Sequence, residues 1–156
     1  MRRSSPDSQY IKGGLFSLFL VLYQIMTSMY TFLPLFIGVF FTYIIINYEN
    51  EKKKNLIYLI FIYLSIYDLN KGFYLFSLLL TFFLFYNLFV ERIRNVLICS
   101  NCILVLYVIV AYLGHYCLNL FISYILNSAS PIFLVNYLYY IIVDSLVTIL
   151  LFKGKV

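Results

Sequence analysis

Two aspartates stand inside otherwise apolar runs, and they are the positions at which this sequence is best placed to do chemistry. Asp144 follows three apolar residues deep in the last apolar run, and Asp68 ends a short run that begins at Leu56. A carboxyl group in such a segment is costly to bury, so it is usually paired or functional. For Asp144 two roles stay open, a contact with a proton, ion or substrate and a polar contact between helices.

The partners of these aspartates must come from the few other polar residues within apolar runs. Lys71 lies three residues beyond Asp68 and can pair with it, although a plain turn that ends at Gly72 explains the same pattern. Asparagines and the single histidine can hydrogen-bond to Asp144 across helices. Asn87 and Asn101 are further candidate partners of Asp144, and the candidate interaction or pocket residues are Asp68, Lys71, His115, Asn119, Asn136 and Asp144.

Two further patterns suggest redox or metal chemistry. Cys99 and Cys102 have the C-x-x-C spacing of thiol oxidoreductases, but the orientation argued below puts them at a cytoplasmic end, where thiols stay reduced. We therefore expect free thiols there. His115 and Cys117 are two residues apart and fall on different faces of a helix, and there is no second histidine. The sequence thus predicts no metal and no cofactor.

Sequence motifs of common enzymes are absent from the chain. It contains no nucleophile elbow, no zinc-protease motif and no phosphate-binding loop. Proteolysis by paired aspartates would need Asp68 and Asp144 to face each other, yet one is expected near the outer side and the other near the middle of a membrane. We predict that the protein has no catalytic residues and is not an enzyme.

The elements that position these residues follow from composition. Hydrophobic residues make up 64% of the 156 positions and charged residues 11%, whereas soluble domains have roughly half and a quarter. A small soluble domain could not bury so much apolar surface, but a bilayer accepts it. The composition predicts an all-α fold, a polytopic membrane helix bundle of about six short transmembrane helices.

Breaks in the apolar runs divide the chain. Residues 1–12 form a basic tail that we place in the cytoplasm, and 13–156 form a single transmembrane domain. The first run is too long for one span, and Pro34 is its natural break. The end of the fifth run, near 119–126, is expected along the interface. The predicted spans are 14–32, 34–48, 56–69, 73–90, 96–118 and 132–152.

Basic residues set the orientation. Cytoplasmic loops are enriched in Lys and Arg. With six spans one side holds ten basic residues and the other only Lys71, so both termini are predicted to be cytoplasmic. Topology thereby accounts for the net charge of +5 without a nucleic-acid partner. The ten residues are Arg2, Arg3, Lys12, Lys52, Lys53, Lys54, Arg92, Arg94, Lys153 and Lys155.

Three local features stand out in the predicted spans. The third span ends in an aspartate and a glycine-containing turn, at 65–73, Ser-Ile-Tyr-Asp-Leu-Asn-Lys-Gly-Phe. The fourth span closes on a basic end at 91–94, Glu-Arg-Ile-Arg. The last span carries a polar residue at 143–146, Val-Asp-Ser-Leu. In these features, which cover about half of the chain, and in length and span number, the sequence resembles the MreD family of rod-shape-determining proteins of the bacterial inner membrane.

This resemblance implies a function. It implies a non-catalytic membrane scaffold or regulator of the elongation complex that builds the lateral cell wall, in the bacterial inner membrane. The implied partners are the lipid bilayer, an MreC-like bitopic protein, an actin-like filament and the glycan polymerase–transpeptidase pair. The family is similar in fold to the substrate-binding S-component of energy-coupling-factor transporters. A small-molecule-binding membrane component of a transporter is therefore the alternative.

Overall fold

The computed structural model describes residues 6–30, 32–50, 53–97, 99–129 and 136–154, with the backbone alone for 6–13, 16 and 17. These residues form helices and connections and contain no strand, which confirms the predicted all-α class. Helices α1 to α6 span, in order, Pro6–Met29, Ile37–Asn47, Lys54–Asn70, 77–96, Ser100–Ile125 and Asn136–Phe152.

Helices α4 and α5 each contain a π-helical turn. In α4 the π segment is Tyr86–Val90, and in α5 it is Val110–Gly114. A π turn inserts one extra residue, so it rotates the helix beyond it relative to the helix before it, and such turns are frequent at functional sites. In α5 the turn lies directly before His115, and it leaves both Tyr112 and His115 buried.

The helix bounds differ from the predicted spans in several places. Helix α1 begins at Pro6, inside the segment predicted as a tail, because proline suits the first turn of a helix; residues 1–5 lie outside the described residues. The predicted break at Pro34 falls between α1 and α2. Helix α4 continues past Val90 to residue 96, and α5 continues as a helix to Ile125. Of the last predicted span, residues 132–135 lie outside the described residues.

Span length and apolarity single out one helix of the described residues. Ser100–Ile125 is long and apolar enough to cross a membrane, whereas Leu18–Met29, Ile37–Asn47 and Asn136–Phe152 are apolar but shorter. The short helices have a structural cause. Helix α2 begins within the bundle, after Leu35 and Phe36, and Leu35 is only 2% exposed.

Aromatic and branched side chains fill the core. Phe41 of α2 meets Phe82 of α4 edge to face with ring centroids 5.9 Å apart, and Tyr107 of α5 meets Phe85 at 5.9 Å. Such geometry is favourable beyond the area it buries. The outer surface is equally apolar, since Leu18, Phe121 and Leu150 are each more than 60% exposed. Exposed apolar side chains in this number are typical of surfaces that contact lipid or other proteins.

Side-chain contacts show which loops between the helices lie together at each end of the bundle. At one end the hydroxyl groups of Tyr74 and Ser128 are hydrogen-bonded. At the other, the Tyr86 hydroxyl donates to Glu49 at 2.7 Å, and the rings of Tyr43 and Phe152 are in contact. This second end is the one approached by Lys53, Lys54, Arg92, Arg94 and Lys153. Arg2, Arg3, Lys52 and Lys155 lie outside the described residues, as does the side chain of Lys12.

Candidate functional site

Asp144 joins three helices through one carboxylate oxygen. Its Oδ2 accepts a hydrogen bond from the backbone N–H of Gly38 at 2.9 Å and another from the Tyr112 hydroxyl at 2.8 Å. Asp144 is on α6, Gly38 is on α2 and Tyr112 is on α5, and the aspartate is fully buried. The carboxyl group therefore ties together segments that are 106 positions apart in the chain.

The position of Gly38 explains why a carboxyl group is needed there. Helix α2 starts directly after Phe36, which has a left-handed conformation with φ 53°. The first N–H groups of a helix lack partners within it and carry a partial positive charge, so a buried helix start requires an acceptor. Asp144 supplies that acceptor from a different helix.

A glycine is required for this approach. A Cβ atom at Gly38 would lie 2.6 Å from Val108 Cγ1 and 3.2 Å from Asp144 Oδ2. Val108 is fully buried, and its branched side chain has little freedom to rotate away. Gly38 therefore allows α2, α5 and α6 to come close enough for the aspartate to reach the helix start.

Asp68 makes a matching arrangement at the start of α4. Its Oδ2 accepts from the backbone N–H of Leu78 at 3.1 Å. The residue that precedes α4, Phe76, is again left-handed, with φ 64°. In both places an aromatic residue with positive φ precedes the helix, and an aspartate from another helix caps the N–H of the second helical residue. The two aspartates thus have the same structural role.

A polar cluster surrounds Asp68. Its Oδ1 lies 3.0 Å from His115 Nε2, and the same ring nitrogen lies 2.7 Å from Ser77 Oγ. The side-chain amide of Asn119 donates to Ser77 Oγ at 3.0 Å and to the His115 carbonyl at 2.9 Å. Its carbonyl oxygen accepts from the backbone N–H of Tyr74 at 3.1 Å. The cluster links α3, α4 and α5 at the end of the bundle that holds Lys71.

The geometry of this cluster does not fit a nucleophilic triad. In such a triad the serine and the aspartate contact opposite nitrogens of the imidazole, so that one nitrogen takes the serine proton while the aspartate orients the ring and stabilises its charged form. Here Ser77 and Asp68 both approach Nε2. Ser77 and His115 are also 2% exposed, which leaves a substrate no access to them. The arrangement is suited to holding helices together.

The structure brings together some of the candidate residues and separates others. Asp68, His115 and Asn119 belong to one cluster, whereas Asp144 has its own partners and does not share them. The partner of Asp68 is His115 and not Lys71, which sits in the turn after α3 with its N–H on the Tyr67 carbonyl. Asn136 is exposed at the start of α6.

Sequence reasoning missed Gly38, Tyr112 and Ser77. Gly38 was detectable as a lone glycine within an apolar run, which signals close backbone approach. Tyr112 and Ser77 carried no signal that separates them from other hydroxyl residues of the chain. The proposed partners Asn87 and Asn101 are exposed and point away from the buried clusters.

Cys99 and Cys102 are joined in a disulfide, which corrects the expectation of free thiols. Cys99 is the extended residue before α5 and Cys102 lies in its first turn, so their Cα atoms are 5.3 Å apart, within the range of a disulfide. Both are exposed, and Cys117 is a free, exposed cysteine. None of the three contacts either aspartate cluster.

The described part of the chain offers no set of three or more His, Cys, Asp or Glu residues that could hold a metal ion. Three of the cavities in this part of the chain are lined by residues other than the six candidates. Comparison of the chain with protein-family models, with curated proteins and with solved structures gives no match. The resemblance to the MreD family therefore stays a hypothesis that rests on the sequence features alone.

Proposed function

We propose that this chain is a polytopic membrane protein of six spans with both termini in the cytoplasm. The proposal is supported by the apolar exterior, by the burial of the polar clusters inside the bundle and by the basic residues at one end. One of the spans would be a discontinuous helix. Helix α2 has 11 residues and is only about 16 Å long, so the chain before it must complete the crossing.

Discontinuous spans are tolerated in a bilayer when protein satisfies their free backbone groups. Asp144 and Asp68 do this for the starts of α2 and α4. In transporters of known type, such helix starts instead face a bound anion. Here the aspartates occupy that position, and we take this as support for a structural protein over the alternative, a transporter component with a small-molecule pocket.

We further propose that the protein is a non-catalytic scaffold of the lateral-wall elongation complex, as the MreD-like features imply. A groove between α1 and α3 supports this role. It has a volume of about 210 Å³ and is lined mostly by apolar residues such as Leu20, Ile62 and Ile66. Its polar lining residues are Gln24, Tyr63 and Asn70, and the Oε1 atom of Gln24 is buried without a hydrogen-bond partner.

The apolar groove, with this unpaired oxygen in its wall, is the observation that carries the proposal. Gln24 is only 3% exposed, and a bilayer offers no water to satisfy an amide oxygen. A transmembrane helix in the groove would pack against its apolar lining, and rotation of the Gln24 side chain toward the groove would let a hydroxyl or amide donor of that helix reach the oxygen. A bitopic protein with a single span, such as the MreC-like partner, has the required shape.

The test is a pull-down of the tagged full-length protein in a mild detergent from a rod-shaped bacterium, with mass spectrometry of bound proteins and small molecules. We expect a bitopic wall-synthesis protein, and we expect Gln24→Leu to reduce its recovery several-fold. Ser28→Leu is the matched control, because Ser28 is on the same helix, is exposed and bonds only to the Ile25 carbonyl.

Two results would contradict the scaffold. Equal recovery of the bitopic protein with Gln24→Leu and Ser28→Leu would show that the partner does not bind in the α1–α3 groove. Recovery of an ATPase module or of a vitamin-sized molecule would favour the transporter alternative.

A further inference from the structure

A second cavity lies at the basic end of the bundle, away from both aspartate clusters. It has a volume of about 470 Å³ and forms where the end of α2, the first half of α3 and the middle of α4 meet. Five of its lining residues are aromatic: Tyr48, Tyr58, Phe61, Phe83 and Tyr86. Neither the scaffold role nor the predicted candidates account for this concentration of rings.

The rings face the cavity from several directions. Tyr48 and Tyr86 have centroids 4.8 Å apart and planes inclined by 56°, and Tyr48 meets Phe83 edge to face at 6.4 Å. Phe61 and Phe83 are 6.3 Å apart at 32°. The ring planes are inclined to one another, and the faces of aromatic rings attract cations.

A fixed carboxylate adds negative charge at the mouth of the cavity. Glu49 is held there by the Tyr86 hydroxyl, which donates to Oε1 at 2.7 Å. Lys54 lines the same mouth. An aromatic box beside a carboxylate suits an ammonium group, and the nearby lysine suits the phosphate attached to such a group.

We propose that this cavity binds an ammonium group linked to a phosphate, the chemistry of an ethanolamine or choline head group. The ammonium lies among the rings of Tyr48, Tyr58 and Tyr86 beside Glu49, and the phosphate lies toward Lys54. Tyr58 and Phe83 are 63% and 44% exposed, so the cavity is open on its outer side, where a phospholipid in the cytoplasmic leaflet would enter. This source of the ligand rests on the membrane placement proposed above, whereas the chemistry of the cavity does not.

The test is native mass spectrometry of the delipidated full-length protein in a maltoside detergent. The probes are dioctanoyl phosphatidylethanolamine, dioctanoyl phosphatidylglycerol, phosphocholine and tetramethylammonium chloride, with potassium chloride at equal ionic strength as the salt control. We expect preferential binding of phosphatidylethanolamine over phosphatidylglycerol, which has the phosphate but no ammonium.

Variants locate the binding in the cavity. Glu49→Gln and Tyr58→Leu are each expected to weaken phosphatidylethanolamine binding by about five- to tenfold, the size of a lost charge or cation–π contact. Tyr124→Leu is the matched control, since Tyr124 is 85% exposed and lies outside the cavity. Thermal melting of each variant checks that it remains folded.

Competition by phosphocholine or tetramethylammonium would support a site that recognises the head group alone. Binding of the lipid without such competition would support the same ammonium site with an added contribution from the acyl chains. Equal binding of the two lipids, or an unchanged preference in folded Glu49→Gln and Tyr58→Leu, would overturn the proposal. None of these outcomes depends on the wall-synthesis partners.

Discussion

The Asp144 carboxylate lies 2.9 Å from the backbone nitrogen of Gly38, although the two residues are on helices at opposite ends of the sequence. This contact caps the start of a helix that begins inside the bundle. Asp68 and Leu78 repeat it for a second helix. Each aspartate thereby satisfies a backbone donor that a nonpolar environment would otherwise leave unpaired.

Replacement of Asp144 should separate the need for an acceptor from the need for a charge. Asp144→Asn retains an oxygen for Gly38 and Tyr112, whereas Asp144→Leu leaves both donors buried and unpaired. We expect the leucine variant to lose about 2–6 kcal/mol, from about 1–3 kcal/mol for each of two orphaned donors, and the asparagine variant much less. Thermal unfolding in detergent measures both.

Tyr112→Phe is the control for this pair, because it removes one donor and leaves the helix cap in place; about 1 kcal/mol is expected. Equal loss of stability and function in the asparagine and leucine variants would mean that the charge itself is essential, and would point to ion or proton chemistry at Asp144.

Gly38→Ala should destabilise the bundle. Its methyl group would meet Val108 at 2.6 Å, and overpacking of a filled core typically costs about 1–3 kcal/mol. Gly14→Ala is the matched control, since Gly14 is also helical and a Cβ there meets nothing within 4 Å. We expect no loss at Gly14. Similar melting temperatures for the two variants would refute the close packing of α2 against α5.

Asp68 and His115 should be energetically coupled. A double-mutant cycle with Asp68→Asn and His115→Gln is expected to show an interaction energy of about 0.5–3 kcal/mol, because the two side chains are 3.0 Å apart. The parallel cycle of Asp68→Asn with Lys71→Gln should give an energy near zero. The reverse result would restore the Asp68–Lys71 pair that the sequence suggests.

Much of the fold could be predicted from the sequence. The apolar runs and the loop near Asn50 indicate the helices, and Pro34 marks the break between α1 and α2. The start of α1 at Pro6 was not predicted, because polarity in the first residues resembles that of a tail. The π turns of α4 and α5 were also not predictable, since no residue type specifies them.

The sequence predicts which residues belong to the site, but it does not predict which of them contact each other. A buried aspartate in an apolar run is visible in one sequence, but its partner depends on which helices are neighbours. Asp68 was assigned to nearby Lys71, whereas the fold brings it to His115, 47 positions away by residue number. The sequence suggests side-chain partners for Asp144, whereas the backbone N–H of Gly38 is one of its hydrogen-bond donors. Nearly every residue has a backbone N–H, so the sequence does not show which one an aspartate binds.

The central claim is that the chain crosses the membrane six times with its basic end in the cytoplasm. Single cysteines in a variant lacking Cys99, Cys102 and Cys117 test it by labelling whole cells with a membrane-impermeant maleimide. We expect labelling of Leu75→Cys and Ser128→Cys in intact cells, and of Asn50→Cys and Lys153→Cys only after permeabilisation. Labelling of all four in intact cells, or recovery of the protein in the soluble fraction, would contradict the account.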